Sequence, residues 1–127
     1  VLLGDVRVGA AGTVFAMPEV HLGMIPAAGG TQTLPRSLGR SGALYLLLTG
    51  RRFDAAEALR LGLLTRLVAE EDLLGEAWRI VRRLAGLDPD LAEAAKACLR
   101  RGGDVPLPEG LRLEARVASR VLARDRG

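Results

Sequence analysis

The sequence predicts an α/β fold in which a glycine-rich, strand-bearing beginning gives way to a succession of helices. Three observations lead there. The 127 residues are 49% hydrophobic and 26% charged, the balance of an ordinary folded domain and not of a disordered chain. Residues 1–35 are rich in Gly, Val and Ala, with many turn signals and little helical periodicity. Residues 40–123 instead repeat apolar side chains at helical spacing between short joints. The change of character falls near Thr49 and divides the chain into 1–49 and 50–127. With aromatics at 3%, the core has to be filled by Leu, Val and Ala, and a chain of this size buries a modest one.

In chain order, Asp5 to Ala10 alternates polar and apolar residues in part, which suits a short strand. Gly12-Thr13 turns the chain, and Val14 to Met17 forms a second strand stopped by Pro18. Thr31 is placed to cap a short helix starting at Gln32. Asp54, with Glu57 three residues on, resembles a capping box opening a helix at Ala55, and Gly62 suits its end. Over 72–86 the apolar set is Leu73, Ala77, Ile80, Val81 and Leu84, closed by Gly86. Asp88-Pro89 offers an N-cap followed by proline at the first helical position, opening a helix that Gly102-Gly103 breaks. Pro108 starts a last helix carrying Leu111, Val117, Val121 and Leu122.

Several function classes are disfavoured. Cys98 is the only cysteine, so no internal disulfide and no cysteine-based metal site are expected; a buried structural thiol is the plain reading. The net charge of +3 is small, and the arginines alternate with acids along helices, as in Glu114-Ala115-Arg116. Phe15, Tyr45, Phe53 and Trp78 are scattered, so stacking on nucleic-acid bases has no platform. The longest strongly apolar block, Leu44 to Leu48, is far short of the ~18 residues a membrane span needs. No cleavable signal opens the chain. Neither nucleic acid nor membrane is expected as a partner, and the expected location is cytoplasmic. Val1 where an initiator Met would stand, and the abrupt end at Arg124 to Gly127, are what a processed or truncated chain would show.

The segment from Met17 to Arg36 carries the chemistry. Pro18 fixes the backbone before Glu19, and Val20, Leu22, Met24 and Ile25 surround that carboxyl group with apolar side chains, a setting used for proton transfer. Ala27-Ala28-Gly29-Gly30 then allows close approach of a ligand or a second backbone. A solvated loop carboxylate beside a plain glycine turn remains open on these residues alone. His21 has no acidic or serine partner at a persuasive spacing and reads as a loop or packing histidine.

The run Pro18-Glu19, Leu22-Gly23, Ile25-Pro26, Gly29-Gly30-Thr31-Gln32, Leu34-Pro35-Arg36 and Leu38-Gly39 strongly resembles the crotonase family of enoyl-CoA hydratases and isomerases. The likeness continues through Leu48-Thr49-Gly50-Arg51, Ala55, Glu57-Ala58 and Leu61-Gly62-Leu63, and reaches back to Asp5-Val6-Arg7-Val8. It implies the C-terminal half of a crotonase-like ββα spiral over 1–49, with the active-site loop, followed by a helical oligomerisation region over 50–127. The implied substrate is an acyl-CoA thioester, held while a proton moves at its α-carbon through an enolate-like intermediate. Glu19 matches the glutamate that serves there as acid or base. The resemblance also places Leu22, Ile25, Pro26 and Ala27 at the substrate; Leu22, Met24 and Ile25 would line part of its pocket, although core packing accounts for these three equally well. Ala27 stands where the family usually has glycine. No metal and no cofactor are implied, coenzyme A being part of the substrate, and a homotrimer or hexamer is implied. The family's other hydratase glutamate, both oxyanion-hole amides and most of the CoA surface would precede Val1, so the chain alone is expected to be inactive. A non-catalytic oligomerisation module, or a remnant without chemistry, is the alternative expectation.

Overall fold

The computed structural model describes residues 2–124; the expectations about Val1 and about the end beyond Arg124 lie outside them. Two compact units follow one another, the first running through Arg79 and the second from Ile80.

The first unit is organised around two short strand pairs. Strand β1, Val8–Ala10, pairs in parallel with β4, Arg66–Val68, in the register Val8 to Arg66, Gly9 to Leu67 and Ala10 to Val68. Strand β2, Val14–Phe15, pairs antiparallel with β3, Phe53–Asp54, and the Phe15 and Phe53 rings stack at 5.6 Å. Gly9 lies over the Leu64 side chain so closely that a Cβ there would collide with it. Arg7 fastens the parallel pair. Its guanidinium donates to the carbonyls of Leu63 (2.7 Å), Gly4 (2.9 Å) and Gly62 (3.1 Å), and its own carbonyl accepts from the amides of Thr65 and Arg66.

Three helices fill the space between the strands in sequence. Helix α1, Gly30–Leu38, and α2, Arg40–Thr49, meet at Gly39; together they bury Leu34, Ala43 and Leu46. Helix α3, Ala55–Arg60, follows β3 directly. Asp54 accepts from the Glu57 amide at 2.7 Å, as a capping residue should. The Glu57 carboxylate does not reach back to complete the box; it is taken by Arg51 and Arg60. The core is a cluster of Leu34, Ala43, Leu46, Phe53, Ala55, Ala58, Leu63 and Leu64, with no buried polar or charged residue among those described. Its small residues let helices and strands approach closely, in keeping with the few aromatics available.

Helix α4, Leu73–Ala85, starts in the first unit, where Glu76 joins it to β4. Arg66 Nε lies 2.6 Å from that carboxylate, and Arg79 grips it with Nε at 2.9 Å and Nη2 at 2.6 Å. In the second unit, α5, Pro89–Gly102, is capped by Asp88, which accepts from the amides of Asp90 and Leu91. Helix α6, Leu107–Arg124, packs back on α5 where Gly102 and Gly110 bring the backbones together. No described residue from Ile80 onward is fully buried.

Two local expectations are corrected. The stretch after Thr49 is not helical throughout, because β3 and β4 lie within it. Both are two or three residues long, so neither has room for a period; pairing with β2 and β1 decides them. Thr31 does not cap α1. The helix starts two residues earlier than Gln32, at Gly30, and the Gly29 carbonyl receives the Gln32 and Thr33 amides. Gly29 has a φ of +88°, open to a residue without Cβ, which is how the chain turns into the helix there.

Candidate active site

Pro18 leads into a single 3₁₀ turn, Glu19–Leu22, ended by Gly23. Within it the His21 amide donates to the Pro18 carbonyl at 2.9 Å, and the Met24 amide to the Glu19 carbonyl at 3.0 Å. This fixes the backbone on both sides of Glu19. The Glu19 side chain borders a cleft of about 460 Å³ shared with Leu2, Met17, Met24, Ile25, Pro26, Ala27, Ala28, Gly30 and Thr33. Its Oε2 atom is enclosed and has no hydrogen-bond partner. An enclosed carboxyl oxygen with nothing to accept from or donate to is costly unless something uses it.

The walls explain the shape. Pro26 is buried, and Gly30 sits against it and against the Met17 methyl; a Cβ at Gly30 would fall 2.8 Å from Pro26 Cβ and 2.6 Å from Met17 Cε. The Thr33 hydroxyl proton is committed elsewhere, since Oγ1 donates to the Gly29 carbonyl at 2.9 Å. The cleft is thus one carboxyl group facing aliphatic carbon. Such a group can give a proton to, or take one from, a carbon centre placed against it, and the apolar lining suits an aliphatic group.

Of the residues singled out from sequence, Glu19, Ile25, Pro26 and Ala27 come together on this cleft. Leu22 does not line it; it lies on the far end of the 3₁₀ turn and is 65% exposed, while Ile25 is 71% exposed at the rim. Leu2 and Met17 were not foreseen as lining residues. Nothing local announces Leu2, which reaches the cleft from the start of the chain. His21 makes a contact outside the cleft: its Nε2 lies 2.8 Å from the Thr49 carbonyl, and since a carbonyl only accepts, Nε2 carries the proton.

A more voluminous groove, about 750 Å³, lies elsewhere, between α5 and α6. It is lined by leucine, valine, alanine and glycine with half-buried Cys98; Glu114 is its only ionisable carboxylate. It has none of the enclosed, unpartnered polar geometry of the Glu19 cleft. Among the described residues no helix is long and apolar enough to cross a membrane.

The family model described as enoyl-CoA hydratase/isomerase matches residues 1–126. A probable enoyl-CoA hydratase of Rhizobium meliloti is 42% identical over 111 residues, 87% of this chain and 43% of the relative. A solved enoyl-CoA hydratase structure from Geobacillus kaustophilus superposes with a TM-score of 0.92 at 38% identity, over 96% of this chain and 48% of that one. A protein from Thermobifida fusca crystallised with acetoacetyl-CoA superposes equally well, TM-score 0.92 at 33% identity, over 97% and 48%. The chain spans about half the length of the curated relatives it matches.

Proposed function

The chain belongs to the enoyl-CoA hydratase/isomerase family, and from that premise we propose that it supplies the Glu19 side of an acyl-CoA active site. The observation that carries the reading is the enclosed, unpartnered Glu19 Oε2 on an aliphatic cleft. In the hydration direction, a water oxygen bonds to the β-carbon of a 2-enoyl thioester as the water gives one proton to a second carboxylate, and a proton is delivered to the α-carbon. Glu19 is the group that delivers it. In double-bond isomerisation the same carboxyl group removes an α-proton and returns it at the γ-carbon. Either way the intermediate is enolate-like, and the negative charge collects on the thioester oxygen.

The described residues hold no second carboxylate on the cleft. On this reading the partner carboxylate and the oxyanion amides come from residues outside this chain. Losing one oxyanion donor alone costs about 10²–10³ in turnover, so the 127-residue polypeptide by itself is expected to be inactive. Complex formation by the Thermobifida fusca protein with acetoacetyl-CoA supports a CoA thioester as the ligand class. Ile25 and Ala27 border the cleft with buried Pro26 between them in sequence, and on this reading they meet that ligand. Leu22 would meet substrate only beyond the cleft mouth. The same reading takes the protein to be a cytoplasmic homotrimer or hexamer needing no metal and no separate cofactor.

Glu19→Gln, made in the protein at its natural length, tests this. Removal of general acid–base function predicts a fall of about 10²–10⁴ in kcat for a four-carbon 2-enoyl-CoA, followed by loss of the enoyl-thioester absorbance. Unchanged turnover would remove Glu19 from the mechanism. A second reading, a non-catalytic association module, draws on the second unit, which has no fully buried side chain among its described residues. It predicts that Glu19→Ala leaves the activity of any complex containing this chain intact.

A further inference from the structure

We infer that His21 is a positioning residue for Glu19. It acts by locking the one-turn 3₁₀ segment that carries the carboxyl group to the C-terminal end of α2. The inference rests on the proposal that Glu19 moves the substrate proton.

The geometry is a clasp with two halves. On one side, Glu19 and His21 belong to the same four-residue turn, Glu19–Leu22, which has no fully buried side chain to anchor it. Its internal hydrogen bonds fix its shape but not its place. On the other side, Thr49 is the last residue of α2, and a helix leaves its last four carbonyls without intrahelical partners. The His21 Nε2–H takes the Thr49 carbonyl at 2.8 Å, bridging 28 positions of sequence. It is the only side-chain hydrogen bond recorded for that turn among the described residues.

Gly50 makes the seat for the ring. It ends α2 with a φ of +56°, and its amide closes the helix on the Leu46 carbonyl at 3.0 Å. A Cβ at Gly50 would collide with His21 Cδ2, fall 2.8 Å from Nε2 and lie 3.3 Å from Pro18 Cα. The imidazole and Pro18 thus occupy the space that any other residue at 50 would fill. Pro18 is the residue immediately before Glu19, so the helix end meets the carboxyl-bearing turn at the residue that leads into it and at His21 within it. Helix α2 is itself held by the core through Ala43 and Leu46. The chain of support runs from core to α2, from α2 to His21 and Pro18, and from there to Glu19. Misplacing a reacting group by about 1 Å can cost about 10²-fold, so a clasp of this kind bears on rate without touching substrate.

The test compares kcat and KM, per folded molecule, for a four-carbon 2-enoyl-CoA in the natural-length protein. His21→Leu keeps bulk and removes the donor; His21→Gln returns an N–H able to reach the Thr49 carbonyl; Gly50→Ala pushes the ring off its seat with His21 intact. His21→Leu and Gly50→Ala are expected to lower kcat about 10-fold or more with KM within about twofold, and His21→Gln to stay within about threefold of the parent. A residue that merely stabilised the fold would lower the melting temperature and the folded fraction while leaving kcat per folded molecule unchanged. That result overturns the inference, as does a His21→Gln variant as slow as His21→Leu. If His21→Leu fails to fold, Gly50→Ala against His21→Gln decides the matter: parental kcat in Gly50→Ala overturns the inference. Glu19→Gln, measured alongside, separates the two levels. If it is inactive and the His21 variants are not slowed, only the clasp is wrong; if it is fully active, the reading of the site falls first.

Discussion

Gly30→Ala puts the construction of the cleft to a quantitative test. Gly30 is the first residue of α1, and its φ is one that alanine can adopt, so backbone strain plays no part. Helix propensity favours the change by up to about 1 kcal/mol. Sterics oppose it. The new methyl would lie 2.6 Å from Met17 Cε and 2.8 Å from Pro26 Cβ, where ordinary contact begins at 3.4 Å. The methionine can swing its terminal methyl away at small cost. The proline cannot, because its ring is closed on the backbone and buried. Either Pro26 or the start of α1 therefore has to move by about half an ångström, and overpacking of that kind costs about 1–3 kcal/mol. The net expectation is a destabilisation of about 0–2 kcal/mol, a fall of several degrees in melting temperature. A kinetic effect accompanies it, since the displaced wall carries Ala27: kcat is expected to fall about 10-fold. A thermal melt and saturating turnover on the natural-length protein read both. Met17→Ala combined with Gly30→Ala sharpens the comparison, for removing the methionine leaves the proline clash in place. Recovery of parental turnover in the double variant, or no loss in the single one, would refute the packing argument.

Three further outcomes follow from the fold. Glu57, hydrogen-bonded to Arg51, and Glu76, hydrogen-bonded to Arg79 and close to Arg66, are both held below the usual carboxylate range. The unfolded chain then binds more protons as pH falls through about 4.5, so stability is full above that range and drains away below it. Melting temperature recorded from pH 7 to 3 should show the drop, and Glu76→Gln should flatten it. Leu46→Ala, at a side chain 2% exposed in the centre of the core, should cost about 2–5 kcal/mol in a urea melt. Arg7→Ala should cost about 1–3 kcal/mol by the same measurement, since three carbonyls lose their donor; no loss would mean that β1 and β4 hold without the clamp.

The parts legible in the sequence were those written in local chemistry. Asp54 and Asp88 announce their helices because a capping carboxylate and the amides it receives lie within three residues of each other. Glu19 could be picked out because Pro18 and its apolar neighbours sit beside it in the chain. What escaped was written across distance. Strand β4 has three residues and takes its identity from β1, nearly sixty positions earlier. Leu2 reaches the cleft from outside the motif altogether. Leu22, at the end of the turn Glu19–Leu22, is exposed and is not among the side chains that border the cleft.

The same distinction explains why the family likeness was a sharper guide than any single chemical group. Most residues that carry the likeness never line the cleft; they hold other residues. Arg7 clamps the strand pair, Gly50 seats His21 and Pro18, and Arg51 lies over the Tyr45 and Phe53 rings while pairing with Glu57. Each depends on a specific residue type, because a Cβ, a shorter cation or a lost carboxylate at those places leaves a collision or an unsatisfied group. These supports are spread from Arg7 to Glu57, and of them Gly50 meets the residues that flank Glu19. A lone glutamate in a glycine-rich loop says little, whereas a glutamate inside that full set of supports is constrained at nearly every neighbouring position. On the proposed role of Glu19, a substitution at Gly50 should lower kcat more than KM, because it shifts the turn that carries the carboxyl group while leaving the apolar walls of the cleft in place.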